Sequence, residues 1–549
     1  MRPSRGRLSE GIIAALCLAG GVFFFASLAE LWPLLDVDLT ASRARLSDDA
    51  ARFLRTAGFD LEGYRSAVRL AVDTGTLDYV EREFGRGRAQ EWVRGGWPLV
   101  QYRVAFKKRG ETIWYAVALQ PSGSVSGWSK FIQEDYPAGR IPEERARGLA
   151  QAALATGLGL DPTGLDEKSL STAERIGHRI HTLGFERTLS ETPELRERVT
   201  ITLAGEEVVA ASRQLLVPEA ARRQARSREA PAVALETTGF LLVAVAAIVA
   251  FFIFLAGVRD GTARVARAAL WPALVFLCLM ATFMLQTAEL FAFWEPLWSR
   301  WVSDFRYFVL SAAEQTWLVL LLLALVAAGD VLDGRSGGVR GAALHALGRG
   351  RIFDPLVACA AWRGFLVGLL CGGVLALGVT VVQALAGGLT SLQPRGFFFY
   401  TLNSASPAAA SVLFFFGVAL AEELGYRYFG ANWILALTGR RWLAVVVPAL
   451  LYGLTHAQLD FLPPAEPFWG RAGVLTLVGC VWGWAFLRYD ALTVVLSHFT
   501  ADLFIFNWPR LAGGEAAAIG AALLALCVPL IPVLGLLPWP VGGRPRLPS

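Results

Sequence analysis

Apolar residues along this chain gather in runs of about 20, the length an α-helix needs to cross the hydrocarbon core of a bilayer. About ten such spans are expected, near residues 11–31, 236–257, 268–291, 306–329, 359–387, 404–435, 441–458, 470–488, 491–508 and 515–537. Between the first and second runs the rhythm changes. In the polar stretch 38–233, Val100-Gln101-Tyr102-Arg103-Val104-Ala105-Phe106 and Ile113-Trp114-Tyr115-Ala116-Val117-Ala118-Leu119 alternate with period two around a polar turn at Arg109-Gly110. That pattern predicts a β-hairpin. A second strand pair is predicted at 199–203 and 208–216, turning at Gly205. Helical periodicity precedes each pair, at 48–56 with 77–93 and at 142–156. The insert therefore reads as two helix-then-strands units of about 100 residues each, near the common domain size.

The expected fold class is a polytopic α-helical membrane protein of about ten spans, with an extracytoplasmic α+β domain inserted after the first span. The chain divides into a signal-anchor span at 1–37, the inserted domain at 38–233 and membrane helices at 234–358. A core of membrane helices follows at 359–510, then a last span with its tail at 511–549.

Composition agrees with this division and excludes an ordinary soluble enzyme: 54% of residues are hydrophobic and only 18% charged. The net charge of +5 does not call for nucleic acid, because the arginines are confined to particular loops. Arg259, Arg264 and Arg267 follow the second span, Arg335, Arg340, Arg349 and Arg351 the fourth, Arg440 and Arg441 the sixth, and Arg488 the eighth. Arg544 and Arg546 lie in the tail. Such alternation predicts a multi-pass protein of the cell membrane with both termini cytoplasmic and residues 38–233 outside. At the start, Arg2, Arg5 and Arg7 precede a long apolar run without a small-x-small cleavage site, which favours a retained signal anchor over a cleaved signal peptide. The six cysteines all fall in apolar runs and show neither disulfide nor zinc-knuckle spacing.

Candidate chemistry comes from charge inside those apolar runs. A charged group at the centre of a bilayer-spanning helix costs roughly 2.5–3.5 kcal/mol on insertion scales, so it is usually kept for a function. Here Glu422, Glu423 and Arg427 share one span, His456 lies in the next, and His498 with Asp502 lies in another. At 1.5 Å rise per residue from the basic turn at Arg440–Arg441, Glu422 and His456 both lie roughly 22 Å deep. His498 and Asp502 lie roughly 15–21 Å deep, counted from Arg488. Glu423 and Arg427, four apart, are expected to stack as an ion pair, leaving Glu422 on another face as the available carboxylate. Tyr426 is placed to hydrogen-bond Glu422, and Asp502 to orient His498. Glu289 and Glu314 are expected to cap a helix or face a polar interior. His178 and His181, three apart in the polar insert, are read as surface residues rather than metal ligands.

Glu422-Glu423-x-x-x-Arg427, Tyr452-x-x-x-His456 and His498-x-x-x-Asp502 occur in that order, with Trp482-Gly483-Trp484 ahead of Arg488. This set resembles the motifs of the CPBP family, which holds the type II CAAX prenyl proteases and bacteriocin-processing or self-immunity proteins. The resemblance covers residues 360–510. Tyr452 stands where phenylalanine is usual, and Asp502 where many members have asparagine. What the resemblance implies is an intramembrane endopeptidase acting on membrane-associated proteins or peptides. Glu422 would be general base, His456 would position the water, and His498 with Asp502 would bind the scissile carbonyl or its oxyanion. The family has been described both as metalloproteases and as metal-free glutamate proteases, so His456, His498 and Glu422 are equally implied as ligands of a catalytic zinc. Two further functions stay open on the residues alone: a catalytically silent scaffold or immunity factor, and a proton-coupled transporter. The complete motif set favours the enzyme, and no inverted repeat speaks for transport. The polar insert resembles PepSY-type modules found beside membrane proteases and is expected to gate or recruit substrate.

Overall fold

The computed structural model describes residues 4–31, 41–158, 160–190, 192–388, 390–391, 402–458, 465–513 and 516–537. Arg2, Arg544 and Arg546 of the predicted basic flanks lie outside the described residues.

Helix α1 (Ser4–Leu31) leads into a domain whose elements run α2 (Arg43–Thr56), β1 (Arg65–Val72), α3 (Thr74–Phe84), α4 (Arg86–Arg94), β2 (Val100–Lys107), β3 (Trp114–Leu119), β4 (Val125–Phe131), α5 (Glu143–Leu158), β5 (Asp166–Glu174), β6 (Arg179–Thr188), β7 (Arg196–Ala204) and β8 (Glu207–Leu216). Both predicted hairpins form: β2 and β3 pair Phe106 with Tyr115, and β7 and β8 pair Leu203 with Val208. Gly205 makes the second turn at φ +55°, where an added side chain would strike the Ala138 carbonyl. The two predicted units share a single sheet. Strand order is β1-β2-β3-β4-β8-β7-β6-β5, and the halves join where Trp128 of β4 pairs with Ala211 of β8. The helix predicted over 77–93 is two helices, because Gly85 at φ +83° turns the chain between α3 and α4. His178 and His181 are not surface residues. They are 1% and 0% exposed, with His178 Nδ1 on the Tyr136 carbonyl at 2.9 Å and His181 Nε2 on the Ile141 carbonyl at 3.0 Å. Each ring thus has one nitrogen on a backbone carbonyl inside the fold, and His181 Nδ1 also meets Thr172 Oγ1 at 3.1 Å.

The remaining elements are α6 (Glu219–Arg259), α7 (Val265–Leu285), α8 (Thr287–Phe293), α9 (Arg300–Arg335), α10 (Ala342–Gly348), α11 (Pro355–Ala386), α12 (Pro407–Thr438), α13 (Arg441–Leu454), α14 (Phe468–Arg488), α15 (Ala491–Gly513) and α16 (Ala516–Cys527), the last followed by a 3₁₀ stretch, Val528–Leu536. Among the described residues, nine helices are long and apolar enough to cross a membrane. The chain is thus a polytopic helical membrane protein carrying an α+β domain. The seventh expected span, 441–458, is the exception. Helix α13 has 14 residues, about 21 Å of rise, and ends just before His456. Helix α1 packs into the bundle against α11, where a Cβ on Gly373 would lie 2.5 Å from the Gly20 carbonyl oxygen. Small residues permit that approach.

Polar contacts fix the sheet domain to the bundle. Lys107 Nζ donates to the carbonyls of Ala292 and Trp294, both at 2.8 Å, and the Leu70 amide donates to Asn403 Oδ1 at 2.8 Å. Glu289 lies in the first turn of α8 and faces a buried polar contact, accepting from Arg69 Nη1 of β1 at 3.0 Å. Glu314 does not face the interior, being exposed on α9.

Candidate active site

The two glutamates stand where α12 changes pitch. Pro407–Glu423 is α-helical, Leu424–Ala431 widens into a π-helical stretch, and Asn432–Thr438 returns to α. Such widened turns are rare and are frequently found at functional sites. Here the widened turn directly follows two consecutive acids, and both carboxylates reach one imidazole. Glu423 Oε1 accepts from His498 Nδ1 at 2.9 Å, and Glu422 Oε2 lies 3.9 Å from His498 Nε2. The two acids do not diverge as an ideal α-helix predicts; they flank the same ring.

Arg427 closes the other side of Glu423. Its Nη1 donates to Glu423 Oε1 at 3.0 Å, its Nη2 donates to the Gly479 carbonyl at 3.3 Å, and both side chains of the pair are 1% exposed. The guanidinium lies 4.9 Å from the Tyr452 ring centre and 5.1 Å from that of Trp482. Cation–π attraction of this kind strengthens when the cation is desolvated. Gly479 permits the approach of α14, since a side chain there would press on Ala449 and the guanidinium.

His456 sits in the turn that ends α13. Its Nδ1 faces the Tyr452 carbonyl at 2.8 Å, and a carbonyl only accepts, so that nitrogen carries the proton. The Nε2 atom then points at Glu422 Oε1, 3.5 Å away. The Tyr452 ring covers the imidazole with centroids 4.3 Å apart. His498, on α15, is held in the same way: Nδ1–H donates to Glu423, and Trp482 stacks on the ring at 4.3 Å and 25°. Trp482 is itself oriented by its Nε1–H bond to Ser497 Oγ at 3.0 Å. Asp502, four residues on, places Oδ2 3.4 Å from His498 Nε2.

Glu422, His456, His498 and Asp502 thus come together in one layer, with Glu423 and Arg427 behind it. Glu422 Oε2 is buried and has no hydrogen-bond partner among the described residues. The layer is screened but not sealed, as the side chains of Glu422 and Asp502 keep 23% and 20% exposure. The predicted Tyr426–Glu422 bond is absent. Tyr426 bonds Thr455 Oγ1 at 2.7 Å instead and stands edge-on to Tyr452.

Two contacts at the candidate site go beyond what the sequence predicts. Glu423 is both partner of Arg427 and anchor of His498, a role visible only once α15 is seen beside α12. Glu236, at the start of the second predicted span, holds Gln458: Oε2 accepts the Gln458 amide at 3.1 Å and Oε1 accepts its Nε2 at 3.0 Å. An acid at the edge of an apolar run was the available signal for it.

Residues 403–504 match the family model described as type II CAAX prenyl endopeptidase, Rce1-like. The matched segment contains every residue of this layer. Neither a curated protein nor a solved structure matches the chain.

Proposed function

We propose, from the premise that residues 403–504 form an Rce1-like type II CAAX prenyl endopeptidase domain, that the chain is an intramembrane endopeptidase whose water is activated by Glu422. The observation that carries this reading is the buried Glu422 oxygen without a protein partner, flanked by two imidazole Nε2 atoms whose Nδ1 atoms are already engaged.

Glu422 takes a proton from water as the hydroxide oxygen bonds to the scissile carbonyl carbon. His456 Nε2, kept as an acceptor by the bond at Nδ1, holds the second water proton. The carbonyl oxygen gains the electron pair of the C=O bond, and a protonated His498 Nε2 donates to that oxyanion, with Asp502 beside it. When the C–N bond breaks, Glu422 passes its proton to the leaving nitrogen. Donors aimed at developing charge are worth most where water is scarce. Stacking by Trp482 and Tyr452 fixes both rings beforehand, so less reorganisation is needed during the reaction.

Zinc takes histidine and carboxylate donors, and His456, His498 and Glu422 are the set it would use, through the Nε2 atoms. The donor chemistry fits, but the placement does not: among the described residues no three His, Cys, Asp or Glu side chains are set to hold a metal ion. In the proposed steps the side chains act alone.

Membrane-associated proteins or peptides are the proposed substrates. Comparison of membrane peptides in cells carrying Glu422→Gln with those in wild-type cells tests the reading. Uncleaved membrane peptides should accumulate in the variant, and identical peptide populations would count against a protease.

A further inference from the structure

Two cavities lie between the sheet domain and the bundle, of 410 Å³ and 550 Å³. Asp78 and Arg82 of α3, with Ala225, Arg228 and Glu229 of α6, line both of them, so the two adjoin along the groove between these helices. One end lies in the sheet domain at Asp73 and Gln214. The other end is lined by Ala457 and Gln458, the residues that directly follow His456. That inner end is held in place, because Glu236 of α6 binds Gln458 through both its backbone and its side-chain amide. The shortness of α13 brings His456 out to this level.

The walls carry both signs of charge. Arg82 bridges Asp78, at 2.9 Å, and Glu466, while Arg228 and Glu229 face them from α6. Small-molecule pockets are mostly apolar with a few polar groups; here the outer cavity carries charge along both walls, and Pro467, Phe468 and Trp469 add apolar surface at the inner end. An anionic lipid headgroup would meet Asp78, Glu229 and Glu466 as well as the arginines. An extended polypeptide suits such walls, since it presents donors and acceptors at every residue, about 3.3–3.6 Å apart.

We infer that the groove between α3 and α6 is a polypeptide-binding site that feeds an extended segment of substrate from the sheet domain to the Glu422 layer. The inference rests on the endopeptidase reading. It adds to that reading the route by which a substrate segment reaches the layer.

Amide hydrogen exchange tests it on the full-length Glu422→Gln protein in nanodiscs, with β-casein as an unstructured polypeptide probe. Casein should slow exchange severalfold in residues 74–84 and 219–229. Arg228→Glu and the groove-filling Ala225→Trp should each remove that protection. Unchanged exchange in these segments with casein present overturns the groove, whether or not the wild-type protein cleaves casein. So does protection that comes from anionic nanodisc lipid without casein. Protection in the groove combined with a wild-type protein that cleaves nothing would leave the site standing and sink the protease reading.

Discussion

The bundle contains two buried groupings of histidine with carboxylate, and they are built in opposite ways. Around Asp330 of α9 every oxygen is engaged. Oδ1 accepts from Tyr428 at 2.6 Å and lies 3.0 Å from His345 Nε2, while Oδ2 accepts from Arg267 Nε and Nη2 at 3.1 and 3.0 Å. Asp333, one turn on, accepts the amides of Gly341 and Arg340 at 2.9 and 3.3 Å. In the Glu422 layer, by contrast, buried oxygens of Glu422 and Glu423 have no hydrogen-bond partner among the described residues. A buried acceptor left unsatisfied costs about 1–3 kcal/mol, more when charged, so a fold keeps one where something else must bind. Charge inside the membrane helices therefore does not mark the candidate site by itself; an unfilled acceptor on each of two adjacent acids, beside the imidazoles of His456 and His498, sets this layer apart.

The two groupings are also joined. Tyr428, the ligand of Asp330, directly follows Arg427 in the π-helical stretch of α12. Its ring passes beside Gly329 and its hydroxyl beside Gly341, where a Cβ would lie 2.8 Å and 2.5 Å away. The saturated cluster thus secures the widened turn from behind, while the unsatisfied one forms the proposed site.

This contrast can be broken by substitution. The largest effect is expected from Glu422→Gln, which keeps shape but removes the base. Hydrolysis should fall by roughly 10²–10⁴-fold, the usual contribution of a general base, with an unchanged melting temperature. His456→Ala and His498→Ala should each inactivate as well. Either one combined with Glu422→Ala should add little, because residues acting as a unit are non-additive; a multiplicative loss in the rate of the double variant would place them in separate sites.

Glu423→Gln straddles the comparison. It breaks a buried ion pair, a change that costs about 3–5 kcal/mol, and it also weakens the hold on His498, so yield and rate should drop together. Asp330→Asn should lower the melting temperature while the protein that remains folded keeps most of its rate. Loss of rate without loss of stability in Asp330→Asn would move that cluster into the chemistry. A smaller effect is expected from Asp502→Asn. The amide can still serve an oxyanion, so kcat should change by less than about tenfold, equivalent to 1.4 kcal/mol. Least of all should follow from dialysis against a metal chelator, after which the rate of the reconstituted protein should be unaltered.

Much of this site was legible in the sequence because its residues interrupt apolar runs at helical spacing. Glu422, His456, His498 and Asp502 stand out as polar groups at matching depth, and the Glu423–Arg427 pair follows from a separation of four. The π-helical stretch was not legible. Its residues, Leu424 to Ala431, fit an α-helix equally well, and only the packing of Tyr428 against α9 and of Arg427 against α14 distinguishes the two. Tyr426 was misplaced for the same reason, since its true partner Thr455 belongs to a neighbouring element. In the sheet domain, β2, β3, β7 and β8 alternate cleanly and were found. Strand β5, Asp166–Glu174, is polar on both faces because it pairs only with β6 at the sheet edge, so no period-two signal marks it. The shortness of α13 was hidden because the predicted span includes the mostly polar Thr455-His456-Ala457-Gln458, past the end of the helix at Leu454.

The central claim is that Glu422, and not merely a buried charge, performs the hydrolysis. Its most direct test pairs two variants in proteoliposomes, Glu422→Gln and Asp330→Asn. The hydrolysis rate of a peptide that accumulates in Glu422→Gln cells is measured beside the melting temperature of each protein. The account predicts that Glu422→Gln melts like wild type and hydrolyses nothing measurable, whereas Asp330→Asn melts lower and still hydrolyses. A Glu422→Gln protein that cleaves the peptide at the wild-type rate would contradict it.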